Sequence, residues 1–173
     1  MALSLPSADE IIRALGLVPH PREGGYFRET YRSAERLPSA WCNERYGGGR
    51  SVSTAIFYLL TPTCFSEMHR LKSDEVFHFY LGGTVEMLQL WPDRSAKVLR
   101  LGSNVLIGEL PQLVVPAGVW QGSRLVGDAP FALLGATVAP GFDYADYESG
   151  FRDSLLAEFP EHANAILRLT HPS

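Results

Sequence analysis

Over most of its length this chain alternates apolar and polar residues with a period of two, and only the two ends change to a helical period. Tyr26 to Arg32 alternates aromatic and charged residues as a half-exposed strand does. Ser51 to Thr61 is β-branched and aromatic, closes at Pro62, and reads as a buried strand. Cys64 to Leu71 and Glu75 to Leu81 read as two strands joined by the polar turn Lys72-Ser73-Asp74 and closed by Gly82-Gly83, which predicts a hairpin. Thr84 to Trp91, Ala96 to Leu101, Gln112 to Val115, Val119 to Val126 and Phe131 to Val138 continue the series. Turn residues such as Pro92-Asp93, Pro116-Ala117-Gly118 and Gly127-Asp128-Ala129-Pro130 separate them, and many short strands at this spacing predict a sandwich or barrel.

At the N-terminal end, Ser7 and Glu10 form a capping box ahead of Ile11, Ile12 and Leu15, with Gly16 as the stop signal. At the other end Phe151, Leu155, Leu156 and Phe159 follow helical spacing, and Pro160 opens a second short helix carrying Ala163, Ile166, Leu167 and Leu169. The terminal helices are expected to cap the barrel. Between Ser33 and Arg50, with Pro38, Trp41, Cys42 and Gly47 to Gly49, neither period is sustained, so a long loop is expected.

A length of 173 residues with 46% hydrophobic content suits one compact core. The expectation is a single domain over residues 1–173, with a β core over about 25–140 and a helical cap over about 149–169. The formal charge is −4 and no Lys/Arg run occurs, which argues against a nucleic-acid surface, because such a surface needs clustered positive charge. No apolar stretch reaches the roughly 20 residues of a membrane-spanning helix. Cys42 and Cys64 form no pairing motif, so a reducing, cytoplasmic setting is expected.

The chemistry starts at Glu75. Alternation puts it on one strand face with Phe77, Phe79 and Leu81, where an unpaired charge is costly and a partner is needed. His69, sharing a face with Phe65, Glu67 and Leu71, is the nearest candidate. His78 falls on the face opposite Glu75. Gln121 shares a face with Val119 and Ser123, whereas Trp120 points the other way, toward core or interface. Arg28 carries a forked donor suited to a phosphate or carboxylate, and Tyr26, Tyr58, Tyr80 and Tyr144 each offer a phenol for acid catalysis or stacking. Gly47 to Gly49 lacks the following Lys-Ser/Thr of a phosphate loop.

With the turn Pro116-Ala117-Gly118 set beside His69, Glu75 and Gly82, the chain resembles the cupin superfamily. The first cupin motif is matched by His69, Glu75 and Gly82, with Leu71 where a second His stands in the motif; the second is matched by Pro116 and Gly118, with Gln121 in place of His. The stretches GGYFRETYRS, SDEVFHFYLGG, VVPAGVWQGS and VAPGFDYADYE are similar to the cupin-5 group, related in fold to deoxysugar-nucleotide 3,5-epimerases. The resemblance implies a mainly β fold, a double-stranded β-helix or cupin jelly-roll barrel with short N- and C-terminal helices. A homodimer is also expected, since such barrels often bury an edge or a sheet face against a second copy. It further implies a small polar ligand, such as a sugar nucleotide or carbohydrate, and isomerase or epimerase chemistry. In that reading His69 is the base, Glu75 orients it, and Gln121, Arg28, His78 and Tyr80 hold polar groups of the ligand. Two alternatives stay open: a non-enzymatic binding protein, and an oxygenase-like enzyme in which His69, Glu75 and Gln121 hold Mn, Fe, Ni or Zn.

Overall fold

The computed structural model describes residues 6–172. A first helix, α1 (Ala8–Leu15), starts at the reciprocal Ser7/Glu10 capping box and stops at Gly16 in the left-handed region, as the sequence signals require. The chain continues through β1 (Val18–Pro19), β2 (Tyr26–Arg32) and β3 (Arg36–Leu37) to a second helix, α2 (Ser39–Tyr46). After β4 (Arg50–Ser51) come β5 (Thr54–Leu60), β6 (Phe65–Leu71), β7 (Asp74–Gly82), β8 (Val85–Leu90) and β9 (Ala96–Leu101). The last strands are β10 (Gln112–Val115), β11 (Trp120–Leu125), β12 (Ala132–Ala139) and β13 (Tyr147–Ser149), followed by α3 (Arg152–Glu158) and α4 (Ala163–Arg168).

The strands form two main antiparallel sheets, in the orders β1-β2-β5-β12-β7-β10 and β13-β6-β11-β8-β9, with β3-β4 as a separate pair. Among the described residues the two main sheets do not close into one hydrogen-bonded barrel; they face each other as a jelly roll. The interior between them is packed by Tyr58, Phe77, Val85, Met87, Leu101, Leu125 and Leu134, among others. Each such side chain contributes on the order of 1.5–3 kcal/mol by leaving water.

The expected hairpin does not form. β6 pairs with β11 and β13 in one sheet, whereas β7 pairs with β10 and β12 in the other, so Lys72 and Ser73 carry the chain across the sandwich. His69 and Glu75 therefore face the interior from opposite sheets. A bulge also intervenes: Ser66 pairs with Ser123 and His69 with Gln121, leaving one extra residue on β6. In consequence Phe65 joins Met68 on the far side of the sheet instead of sharing a face with His69.

The segment from Ser33 to Arg50 is not a loop. It holds β3, α2 and β4, anchored by the buried Arg50, whose guanidinium donates to both Asp146 carboxylate oxygens at 2.7 and 2.8 Å. Helix α2 has no apolar stripe because a buried ion pair, together with Tyr46 and Cys42, holds it down.

The terminal helices cover the outer faces of the two sheets, not the barrel ends. Through Ile11, Ile12 and Leu15, α1 packs on Leu59, Phe131 and Leu133. Leu155, Ile166 and Leu169 of the C-terminal segment pack on Met68, Leu88 and Leu90. Trp120 belongs to this outer cluster, with the Arg70 guanidinium 4.4 Å above its ring.

Candidate active site between the two sheets

The turn Pro116-Ala117-Gly118 folds back on the β6–β7 crossover. Gly118 takes φ +81°, its N–H donates to the Leu71 carbonyl at 2.8 Å, and the Ala117 N–H donates to Asp74 at 2.8 Å. This anchoring sets β11 beside β6, so that Gln121 lies directly across from His69. The Gln121 amide N–H donates to Glu75 Oε2 at 2.5 Å, and all three side chains are buried. Burial first, and the nearby Glu23 carboxylate second, push the Glu75 carboxyl up to about 8. At neutral pH it is a proton-bearing acid.

His69 is 1% exposed and is fixed on two sides. Its ring stacks on Tyr147 at 4.9 Å, and its Nδ1 lies 2.7 Å from the Glu67 carbonyl oxygen. A carbonyl only accepts, so the ring proton sits on Nδ1 and the Nε2 lone pair is free. Behind it, Tyr147 and Ser149 donate to the Glu67 carboxylate at 2.9 and 2.8 Å, which ties β13 to the base.

Two further residues complete the site, and sequence reasoning missed both. His20 and Glu23 lie in the loop between β1 and β2, which the sequence shows only as a Pro- and Gly-rich break. That loop is strapped to the sandwich: the Glu67 N–H donates to the Glu23 carbonyl at 2.8 Å, and the Tyr58 hydroxyl donates to the Gly24 carbonyl at 2.8 Å. The Ser66 hydroxyl holds Glu23 Oε1 at 2.6 Å. Glu23 Oε2 then lies 3.9 Å from His20 Nε2 and 4.0 Å from His69 Nε2. A usable signal was present, since a His and a Glu framed by Pro19, Pro21, Gly24 and Gly25 sit on a constrained loop at the start of a strand.

These groups surround a cavity of about 40 Å³ lined by His20, Glu23, Phe27, His69, Glu75 and Phe142, among others. That is room for a few water-sized groups, far below the roughly 300 Å³ at which drug-sized ligand sites begin. A larger open hollow of about 370 Å³ lies outside, over Leu71. Of its cations Arg70 pairs with Glu148 at 2.8 Å, Lys72 lies 3.8 Å from Asp146, and Arg45 lies over the Tyr46 ring; His20, Glu23, His69, Glu75 and Gln121 do not line it.

The remaining predicted residues point away from the cavity. Arg28 is exposed on the outer face of β2, 5.7 Å from the Phe57 ring, because Phe27 and Glu29 are the inward pair. His78 is on the outer face of β7, as alternation predicts, next to Thr137 and Gln112. Tyr80 lies at a bulge, 51% exposed, across Gly135. Neither His78 nor Tyr80 contacts the cavity. Of the other tyrosines, Tyr26 packs under α1, Tyr58 is consumed in holding Gly24, and Tyr144 stands beside His20 and Arg22 with its ring centroid 6.3 Å from that of His20.

The expected metal ligands meet, but they do not form a cage. Gln121 turns its N–H toward Glu75, and Leu71 fills the place of a second imidazole. Among the described residues no three His, Cys, Asp or Glu side chains are arranged to hold an ion. This donor set does not fit Mn, Fe, Ni or Zn.

A family model described as Cupin superfamily (DUF985), Cupin_5, matches residues 9–150. The chain belongs to this family. It is 32% identical over 152 residues to the uncharacterized protein YML079W of Saccharomyces cerevisiae, covering 82% of this chain and 74% of that protein. Among solved structures, a hypothetical protein from Leishmania major is 33% identical with a TM-score of 0.88, over 96% of this chain and 100% of the other. Protein SO0799 of Shewanella oneidensis is 32% identical with a TM-score of 0.87, over 98% and 100%. None of the described helices is long and apolar enough to cross a membrane.

Proposed function

We propose that this cupin is an enzyme of the isomerase or epimerase type that moves a proton on a small polar compound, with His69 as base and Glu75 as acid. What carries the reading is a His69 tautomer with a bare Nε2 and a proton-bearing Glu75 lining one cavity. The Glu67 carbonyl fixes the His69 proton on Nδ1, which leaves Nε2 basic, while Glu75 across the sandwich keeps its proton to about pH 8. A ring nitrogen left bare by the tautomer, facing the same cavity as a carboxyl that keeps its proton, is what a proton-transfer reaction requires. The role expected for Glu75 changes accordingly: the Glu67 carbonyl orients the base, and Glu75 supplies a proton. Gln121 holds Glu75 in place.

The experiment is a panel of small hydroxy-carbonyl compounds incubated with the protein in D₂O, with exchange of the carbon-bound proton followed by NMR. His69→Ala is expected to abolish exchange while binding persists. If the variant only weakens binding, and the wild type exchanges nothing, the protein is a binding module and not an enzyme.

A further inference from the structure

Two imidazoles face the cavity with opposite polarity. His20 Nδ1 accepts backbone N–H bonds from Glu23 at 2.8 Å and Arg22 at 3.4 Å, so its own ring proton is on Nε2. His69 carries its proton on Nδ1 and presents a bare Nε2. Both Nε2 atoms lie about 4 Å from the same Glu23 oxygen, too far for a direct hydrogen bond. A group that bridges His20 to Glu23 must accept from the Nε2–H and donate to the carboxylate, as a hydroxyl or a water does, whereas one between Glu23 and the bare His69 Nε2 must donate to both, as a water does. Burial pushes the His20 imidazole down, which keeps it neutral, and a neutral imidazole N–H can polarise a carbonyl oxygen.

The charge of the lining selects further. Its acidic side chains are Glu23, Glu29 and Glu75, and no Lys or Arg is among the lining residues. Glu29 is already held by Arg32 at 2.7 Å, Arg28 faces outward, and Arg22 lies over the Tyr144 ring outside the lining, so among the described residues no Lys or Arg of the lining meets an incoming anion. A phosphate placed beside Glu23 in this enclosed space would be repelled with little screening.

Resting on the proton-transfer reading above, we infer that the cavity takes an uncharged hydroxy-carbonyl compound, its carbonyl oxygen on His20 Nε2–H and its carbinol C–H toward His69 Nε2, and rejects phosphorylated or nucleotide-linked forms. The proton balance closes without a co-reactant. His69 Nε2 takes the carbon-bound proton, the C–H electron pair becomes the C=C bond, and the carbonyl π pair moves to oxygen, which takes the Glu75 proton. In the second half the other hydroxyl of the enediol returns a proton to Glu75. His69 then returns its proton to the former carbonyl carbon. The net change is a carbonyl moved to the adjacent carbon.

The test uses the full chain and two matched probes, dihydroxyacetone and dihydroxyacetone phosphate, with binding followed by ligand-observed NMR and exchange followed in D₂O. The unphosphorylated probe is expected to bind at least about tenfold tighter. Glu23→Gln is expected to narrow that gap, and His20→Gln to lower the exchange rate more than the affinity. Should Glu23→Gln fail to fold, Glu29→Gln, which removes another acid of the lining and releases the Arg32 guanidinium, should narrow the gap instead. Equal or tighter binding of the phosphorylated probe, or no binding of either at millimolar concentration, overturns the inference. Selective binding of dihydroxyacetone without exchange supports the charge selection and overturns the proton-transfer reading. Exchange of the phosphorylated probe in preference does the reverse.

Discussion

Glu75 and Gln121 meet at 2.5 Å inside the jelly roll although they come from opposite sheets, β7 on one side and β11 on the other. A carboxyl held there has little water around it, so its proton state is coupled to the fold itself.

That coupling gives the first prediction. The folded protein keeps the Glu75 proton up to about 8, while the unfolded chain releases it near the ordinary value of 4.5. Between those values the folded state binds more protons, so this group's contribution to stability is full below the lower value and is lost as pH rises through the upper one. At about 1.4 kcal/mol per unit the window spans at most a few kcal/mol. Thermal melts of the wild type should fall from about pH 5 toward pH 8, and Glu75→Gln should flatten that slope; a slope unchanged in the variant contradicts the assignment.

Gly24 supports the second. It holds φ +94°, and a Cβ there would strike the Phe65 carbonyl oxygen, which is backbone and cannot move aside cheaply. Gly24→Ala should cost about 2 kcal/mol or more, read by urea unfolding, and should lower proton exchange as well, because His20 and Glu23 ride on that loop. A variant of wild-type stability would mean that the loop is not strapped as described.

How much of this was legible in the sequence depends on how local each signal is. The period-two runs and the Ser7/Glu10 box are set by neighbouring residues, and they gave the strands and α1, whereas the meeting of Gln121 with His69 was implied only by the family resemblance, because it is made by β11 pairing with β6. The expected hairpin failed because Lys72-Ser73 looks the same whether the chain returns along one sheet or crosses to the other; only the distant partners Gln112, Gln121 and Thr137 decide. The extra residue on β6 is likewise fixed by pairing with β11, so no alternation rule could place Phe65 outside. Arg28 was assigned a ligand and faces outward because the inward register of β2 is set by its pairing with β5. His20 and Glu23 went unseen since their only meeting point with His69 is made by tertiary folding.

The segment around α2 shows the same dependence on distant partners. Its anchor, Arg50 with Asp146, joins residues 96 positions apart, and both side chains are nearly closed off from solvent. Asp146→Asn leaves the Arg50 charge buried without its partner and should cost about 3 kcal/mol. A melting temperature within error of wild type would contradict the buried pair.

Leu71 and Gln121 stand where the family resemblance places imidazoles. The double variant Leu71→His, Gln121→His should bind nickel or zinc near one equivalent, measured by isothermal titration, while the wild type shows no such stoichiometric binding. Equal uptake by the two proteins would mean that the native donor set holds a metal after all.

The account depends most on a protonated Glu75 opposite a basic His69. Selective ¹³C labelling of glutamate, with the Glu75 signal assigned through Glu75→Gln, allows its carboxyl shift to be followed across the pH range by NMR. A midpoint near 8 is the predicted result. A midpoint near the ordinary carboxylate value of 4.5 would leave the cavity without its acid and contradict the mechanism.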